Sequence, residues 1–236
     1  MADWSSYSLE DFVLFSPRVY WRMFELQNAA AWPALLAGVA ALILMAGALS
    51  RPSRALRLAA FVALGAVWVW VGLSFLGGRY AAINWAVAYV VPFFAVQGLL
   101  LFAAGFAGRA WLDLPGPTLR TGCGLLLIVY AVALHPFVAQ LAGRPWQAAE
   151  LFGIAPDPTA MATIGFAVLT IPAAGAWVVC AIPLLWCLAS ALTLYALDVP
   201  EAAIPLAAAV VGILGCSVPY GVPRYRSSSY RPPSAR

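Results

Sequence analysis

Long apolar stretches recur along almost the whole of this 236-residue chain. A helix needs about 20 apolar residues to cross the ~30 Å hydrocarbon core of a bilayer. Only 9% of the residues are charged, against about 25% in soluble domains. The sequence therefore predicts an all-α fold, a polytopic transmembrane helical bundle of about seven spans. The predicted spans are Ala29–Leu49, Ala55–Leu76, Ala81–Ala107, Gly122–Leu141, Thr159–Gly175, Ala176–Leu197 and Ala202–Val218.

The predicted fifth and sixth spans almost touch. Only the segment 172–175, which begins with Pro172 and ends with Gly175, separates them. Proline interrupts a helix and glycine often follows its last turn, so the two spans form either a tight hairpin or one broken helix. The last span is short and contains glycine, and six spans therefore remain an alternative to seven.

All thirteen basic residues are arginine, and their distribution predicts the orientation of the bundle. With seven spans and the first loop in the cytoplasm, nine arginines fall on the cytoplasmic side and four on the other. Cytoplasmic loops of membrane proteins carry the excess of Lys and Arg. We therefore expect a bacterial inner-membrane protein with its N-terminus outside and its C-terminus in the cytoplasm. Arginines at membrane borders also account for the net charge of +4 without a nucleic-acid partner.

The residues before the first span predict an amphipathic segment, 1–28, that lies in the outer interface of the membrane. Phe12, Phe15 and Val19 form an apolar stripe at helical spacing, and Pro17 has the position of a helix start. Basic and aromatic side chains are typical of interfacial helices. The helical bundle is expected at 29–218 and a basic tail at 219–236.

His135, the only histidine, is followed by Pro136 in the predicted fourth span. Ionisable residues inside a membrane are costly and mark functional sites. A single histidine lacks the partner for a bis-histidine heme, and no metal-ligating residue follows it at helical spacing. We therefore predict a hydrogen-bonding contact between helices first, and contact with a heme or chlorophyll through a ring nitrogen second. No other cofactor and no metal is predicted.

Four further polar residues offer a second interpretation. Gln140, Glu150 and Asp157 lie in or near the loop between the fourth and fifth spans, and Asn84 lies in the third span. Together with His135 they form a candidate polar pathway. The ordinary structural roles are favoured, because Asp157 before Pro158 suits a helix N-cap and Asn84 suits a hydrogen bond between helices.

The C-terminal tail is rich in Pro, Ser and Arg, a composition typical of disorder. Stacking and pairing along a partner's surface would order such a tail. Attraction to anionic lipid headgroups is an alternative of equal weight. The predicted docking residues are Tyr220, Arg224, Tyr225, Arg226, Tyr230 and Arg231.

Five short motifs resemble an uncharacterised bacterial family of small multi-pass membrane proteins, known as a domain of unknown function. The resemblance covers residues 8–215 and implies a fold rather than an activity. The family pattern commonly has Cys at the position of Asp157 and Thr at that of Ala160, so thiol chemistry is not expected at this position here. The motifs are Asn28–Pro33, Gln97–Leu100, Tyr130–Pro136, Phe152–Thr159 and Ile182–Trp186.

No catalytic constellation stands out, since acid–base chemistry needs titratable groups that converge and these are scattered at span ends. We therefore predict a protein that is not an enzyme. The first functional prediction is an accessory subunit of a larger respiratory or photosynthetic membrane complex, docked by its tail to the other subunits. The alternative is a carrier for a small solute or a metal ion, which would use the candidate polar pathway.

Overall fold

The structure is a computed structural model and describes residues 15–51, 53–107 and 118–219. Within these ranges the chain is helical apart from its connecting segments and one isolated bridge between Phe152 and Ala155. The predicted all-α fold is confirmed. The α-helices are α1 (Pro17–Ala30), α2 (Trp32–Ser50), α3 (Arg54–Val71), α4 (Val91–Ala107), α5 (Leu119–Val129), α6 (Val138–Leu141), α7 (Pro156–Thr170), α8 (Ala173–Ala196) and α9 (Ala203–Ser217).

Segments of other helical types extend α3, α4, α5 and α9, the last of them through the 3-10 turn Pro200–Ala202. A π-helical stretch, Gly72–Gly77, continues α3, and a 3-10 stretch, Trp85–Val90, precedes α4. The π stretch Tyr130–Leu134 and the 3-10 stretch His135–Phe137 join α5 to α6. This last change of helical type lies at Pro136, which lacks the amide hydrogen that a continuous α-helix needs.

The bundle has two ends, which we name after a buried residue at each. At the Arg120 end, the side chain of Arg120 at the start of α5 reaches the last turns of α7 and α9. At the Asp157 end, the side chain of Asp157 at the start of α7 reaches Trp186 and Ser190 in the second half of α8. α7 therefore runs antiparallel to α5 and to α8. The predicted fifth and sixth spans form a hairpin that turns at Pro172, not one broken helix.

The described chain passes between the two ends seven times, but α7 differs from the other passes. It has 15 residues, about 22 Å at the α-helical rise, and every one of them is buried. It is thus shorter than a membrane span and lies at the centre of the bundle. The predicted span at 159–175 starts three residues after the observed start of this helix and ends five residues after its observed end. Six helical segments are long and apolar enough to cross a membrane: Trp32–Ser50, Arg54–Ala82, Trp85–Ala107, Leu119–Leu141, Ala173–Ala196 and Pro200–Ser217.

The outer surface of the bundle is apolar and its interior contains polar groups. Leu36 and Ile43 on α2 are each 66% exposed, whereas Gln97 and Thr163 are fully buried. The buried amide of Gln97 donates to the Val179 carbonyl at 3.0 Å and so joins α4 to α8, as an interhelical amide is expected to do. An apolar exterior over six long helices is the arrangement that a bilayer stabilises. The chain is a membrane protein.

Helix α1 packs on the Asp157 end of the bundle. Ser16 caps it by accepting from the Val19 amide. Pro17 occupies the first turn, as the sequence predicts. Its buried face carries Tyr20 and Phe24. The helix runs on to Ala30, two residues past the predicted boundary. The part of the predicted amphipathic segment before residue 15 lies outside the described residues.

Arg120 is fully buried and binds backbone carbonyls at the Arg120 end. Its guanidinium donates to the carbonyls of Val168, Ile171, Gly215 and Val218 at 2.7–3.1 Å. Arg57 is buried as well. Two of the arginines that were counted on the cytoplasmic surface therefore lie inside the protein. A count of charges along the sequence cannot distinguish an arginine that binds helix ends from one that faces water. The predicted orientation stays a prediction.

Helices α5 and α7 cross in close contact where glycines face each other. A Cβ added at Gly165 would lie 2.6 Å from the Gly124 carbonyl oxygen, and a Cβ at Gly124 would lie 2.6 Å from the Leu169 side chain. Small residues at a crossing let the backbones of membrane helices approach closely.

This crossing gives a prediction with a matched control in the same pair of helices. Gly165→Ala is expected to lower the free energy of unfolding by about 2 kcal/mol, because the methyl group meets a backbone atom that cannot move away. Gly122→Ala, where no atom lies within 4 Å, should be neutral or stabilising by up to about 1 kcal/mol. Unfolding in mixed micelles with increasing SDS measures both. Equal stabilities of the two variants would contradict the described crossing.

Candidate functional site

The loop between α6 and α7 turns back over the Asp157 end because of a glycine. Gly143 has a positive φ of 73°, the left-handed conformation that commonly follows the last turn of a helix. The amide of Gly143 donates to the Gln140 carbonyl and that of Arg144 to the Ala139 carbonyl. This turn ends α6 and directs Arg144 toward the bundle.

Two polar side chains hold the rest of this loop in place. The amide group of Asn28 on α1 donates to the carbonyls of Gln147 and Ala149 at 2.7 and 2.8 Å. The hydroxyl of Thr159 on α7 accepts from the Gly153 amide and donates to the Ala155 carbonyl. The loop thus forms a fixed cover over the start of α7.

Asp157 lies beneath this cover and is 3% exposed. One carboxylate oxygen accepts from the indole of Trp186 at 2.7 Å, and the other accepts from the hydroxyl of Ser190 at 2.6 Å. The predicted N-cap role of Asp157 is wrong, because Ala155 has the N-cap position and Asp157 lies inside the first turn. Its side chain instead joins α7 to α8. Burial of a carboxylate charge is tolerated when the carboxylate accepts hydrogen bonds from two good donors, as it does here.

His135 and Glu150 form a buried pair beside Asp157. His135 Nε2 lies 3.6 Å from Glu150 Oε2, and both side chains are at least nine-tenths buried. Asp157 lies within electrostatic range of both side chains. The imidazole also packs edge to face on Tyr130. The predicted hydrogen bond from His135 to a neighbouring helix is absent from the described residues, because the pair is slightly too far apart for one.

Arg144 closes the site on its outer side. Its guanidinium pairs with Glu201 at the start of the last pass, N to O 3.1 Å, and lies over the ring of Trp21 at 3.3 Å from the centroid. Burial lowers the pKa of Arg144, while the carboxylates of Glu201 and Glu150 act in the opposite direction. The side chain therefore joins α1, the loop and the 3-10 turn Pro200–Ala202 that precedes α9.

Tyr20 on α1 adds a hydroxyl-bearing ring to the same end. Burial raises the pKa of Tyr20 well above its ordinary value, and the neighbouring Tyr80, Asp157 and Glu150 raise it further. The phenol is therefore neutral at physiological pH. Tyr20 and Tyr80 pack edge to face, with their ring centroids 5.8 Å apart.

We use the term polar cluster for His135, Gln140, Arg144, Glu150 and Asp157. Its buried atoms have unusually few hydrogen-bond partners. Of the eight buried side-chain nitrogens and oxygens without a partner in the described part of the chain, seven belong to the first four of these residues. Each such atom costs about 1–3 kcal/mol unless something pairs with it. Both donors and acceptors are among these atoms, so the cluster has the chemistry to hold a polar molecule.

A metal ion fits the polar cluster poorly. In the ranges that the structure describes, no three His, Cys, Asp or Glu side chains come close enough together to hold one. Both oxygens of Asp157 already accept hydrogen bonds. Contact between His135 and a heme or chlorophyll stays a prediction.

Asn84, the remaining residue of the candidate polar pathway, has a local structural role instead. The side-chain oxygen of Asn84 accepts from the Ala86 amide and caps the 3-10 start of the third span. The sequence reasoning did not single out Arg144, Trp186 or Ser190 as parts of a site. Gly143, directly before Arg144, was the one local sign in the sequence that the chain turns at this point.

The predicted docking residues of the tail lie outside the described residues. They are Tyr220, Arg224, Tyr225, Arg226, Tyr230 and Arg231. The accessory-subunit hypothesis depends on them and therefore stays a prediction, as do the predicted partner subunits and the contact of the tail with anionic lipid.

The fold and the site define a class, a polytopic helical membrane protein with a covered polar cluster at one end of its bundle. Residues 17–224 match DUF6064, a family of unknown function, and the chain belongs to that family. This confirms the resemblance to an uncharacterised family. Comparison with curated proteins and with solved structures found no match. Four of the five stretches that carry the resemblance supply Asn28, His135, Asp157 and Trp186 to the site or its cover.

Proposed function

We propose that this protein is a carrier that binds a small polar solute at the polar cluster, and that it is not an enzyme. The single observation that supports this function is the group of seven buried atoms without a hydrogen-bond partner on His135, Gln140, Arg144 and Glu150. A solute with both donors and acceptors would satisfy the Glu150 carboxylate and the Arg144 guanidinium together. Amino acids and polyols have such groups.

The position of the cluster suits a carrier. It is recessed, since His135, Glu150 and Asp157 are all buried. Within the cluster, Arg144 also pairs with Glu201 and lies over the Trp21 ring. Opening of that pair would admit a solute, and its closure would shield the solute from water. We further propose that this end faces away from the cytoplasm of a bacterial inner membrane, as the arginine distribution predicts.

The test begins with binding. Purified protein in detergent is heated in the presence of a panel of amino acids, monosaccharides, polyols and small amines, and its unfolding temperature is recorded. A solute that stabilises the wild-type protein should stabilise Glu150→Gln and His135→Ala at about tenfold or higher concentrations only, because a lost charged hydrogen bond is worth about 1.5–3 kcal/mol. Gln147→Ala, an exposed change in the same loop, is the matched control and should bind as the wild type does.

Transport is then measured with each stabilising solute in radiolabelled form, in proteoliposomes that contain the wild type or one of the three variants. We expect uptake by the wild type and by Gln147→Ala and loss of uptake by His135→Ala. If no panel member stabilises the wild type more than Glu150→Gln, or if His135→Ala takes up solute undiminished, the proposal fails.

A further inference from the structure

A pocket lies at the same end of the bundle and is separate from the polar cluster. It has a volume of about 580 Å³ and lies between α1 and the turn that joins the second and third membrane passes. Three arginines line it, Arg18, Arg22 and Arg79, together with one carboxylate, Glu25. This volume is in the range of small-molecule sites.

The charges in this pocket do not balance. Arg22 is paired with Glu25, three residues further along α1. Within the described ranges no carboxylate pairs with the guanidinium of Arg18 or of Arg79. Two guanidinium groups are therefore available to an anion in one pocket. Guanidinium groups bind phosphate oxygens by parallel hydrogen bonds.

The remaining wall of the pocket is apolar, and its location is that of a lipid headgroup. Val19, Leu26 and Ile83 contribute apolar side chains. Just beyond Ile83 along the chain, Trp85 and Tyr89 are 67% and 72% exposed at the start of the third pass. Exposed Trp and Tyr at the ends of membrane helices lie at the level of the headgroups. A phosphate at this level with apolar groups below it has the chemistry of a phospholipid.

We propose that this pocket binds the phosphate headgroup of an anionic phospholipid, held by Arg18 and Arg79. The lipid would then fix α1 to the turn at Arg79 and so support the helix that supplies Asn28 and Trp21 to the cover of the polar cluster. None of its residues belongs to the polar cluster, so lipid binding and solute binding can be tested separately.

The test compares two lipids and two double variants. Native mass spectrometry of the purified full chain in detergent measures retention of phosphatidylglycerol and of phosphatidylcholine with the same acyl chains. The wild type should prefer phosphatidylglycerol, and R18Q/R79Q should lose about 30-fold in affinity for it, at about 1 kcal/mol for each arginine. R51Q/R54Q removes two exposed arginines at the opposite end and should bind as the wild type does.

Three outcomes would overturn the proposal. The first is equal retention of phosphatidylglycerol by the wild type and R18Q/R79Q, and the second is an equal loss in R51Q/R54Q, which would indicate an effect of net charge alone. The third is displacement of phosphatidylglycerol by an equal concentration of glycerol 3-phosphate, which would identify a soluble phosphate as the occupant. Matching unfolding temperatures establish that both variants fold. Loss of lipid binding with unchanged solute binding would support this site irrespective of the carrier proposal.

Discussion

Replacing Arg120 with methionine is expected to lower the free energy of unfolding by about 3–5 kcal/mol, more than any other single exchange considered for this protein. The reason lies in two prolines. A helix carbonyl accepts from the amide four residues later, but residues 172 and 219 are prolines and have no amide hydrogen. The carbonyls of Val168 and Gly215 therefore have no partner from their own helices.

The guanidinium of Arg120 replaces both missing donors. It donates to Val168 at 2.8 Å and to Gly215 at 3.1 Å, and it also binds the carbonyls of Ile171 and Val218, which directly precede the prolines. One side chain thus completes the ends of α7 and α9. Its positive charge also lies at two helix C-termini, where the helix dipole favours a cation.

Unfolding in mixed micelles with increasing SDS measures the effect of Arg120→Met. Arg120→Lys keeps the charge but offers a point charge in place of the planar fork, and we expect a loss of about 2–3 kcal/mol. Arg54→Met is the control, because Arg54 is exposed in the first turn of α3 at the same end. It should stay within about 0.5 kcal/mol of the wild type. If Arg120→Met also stays within that range, the described role of Arg120 is wrong.

Asp157→Ala is expected to lower the free energy of unfolding by about 3 kcal/mol. The exchange leaves the Trp186 indole and the Ser190 hydroxyl without their acceptor inside the bundle, and hydrogen bonds to a charged group are worth about 1.5–3 kcal/mol. Asp157→Asn keeps an acceptor oxygen for Trp186 and has an amide that can donate to the hydroxyl, so we expect a loss of about 1 kcal/mol.

A double-mutant cycle separates this contact from other effects of the exchange. Asp157→Ala and Ser190→Ala, alone and together, should give a coupling free energy of about 1–2 kcal/mol. Ser217→Ala is the control for the lost hydroxyl, because Ser217 is exposed and donates to the Ile213 carbonyl of its own helix. Its coupling to Asp157→Ala should be close to zero. A coupling with Ser190 that is no larger than that with Ser217 would contradict the described contact.

Several of the stretches that carry the family resemblance lie around the site, and this part of the bundle is therefore the place to test for function. Asn28 holds the cover, and the segment 152–159 contains both Asp157 and Thr159. Thiol chemistry at the position of Asp157 is not open to this chain. Its carboxylate instead joins two helices directly beside the pair of His135 and Glu150, so substitutions at Asp157 should alter solute binding as well as stability.

The sequence by itself determined which segments are helices and where several of them break. Apolar runs of span length predict helices because a bilayer leaves backbone groups no other partner. Proline acts locally, so Pro136 marked the change of helical type near His135 and Pro172 marked the turn between α7 and α8. Pro17 marked the start of α1 for the same reason, since the first turn of a helix involves only neighbouring residues.

Only the tertiary structure decided which polar groups meet. Asp157 is bound by residues 29 and 33 positions away, and Arg120 by carbonyls 48 to 98 positions away. Spacing along the chain gives no access to such contacts, so a buried arginine was counted as a surface charge and a buried carboxylate as a helix cap. Hydropathy also cannot distinguish a helix that faces lipid from one enclosed by other helices, because both are apolar. The central position of α7, and with it the recessed polar cluster, follows from packing alone.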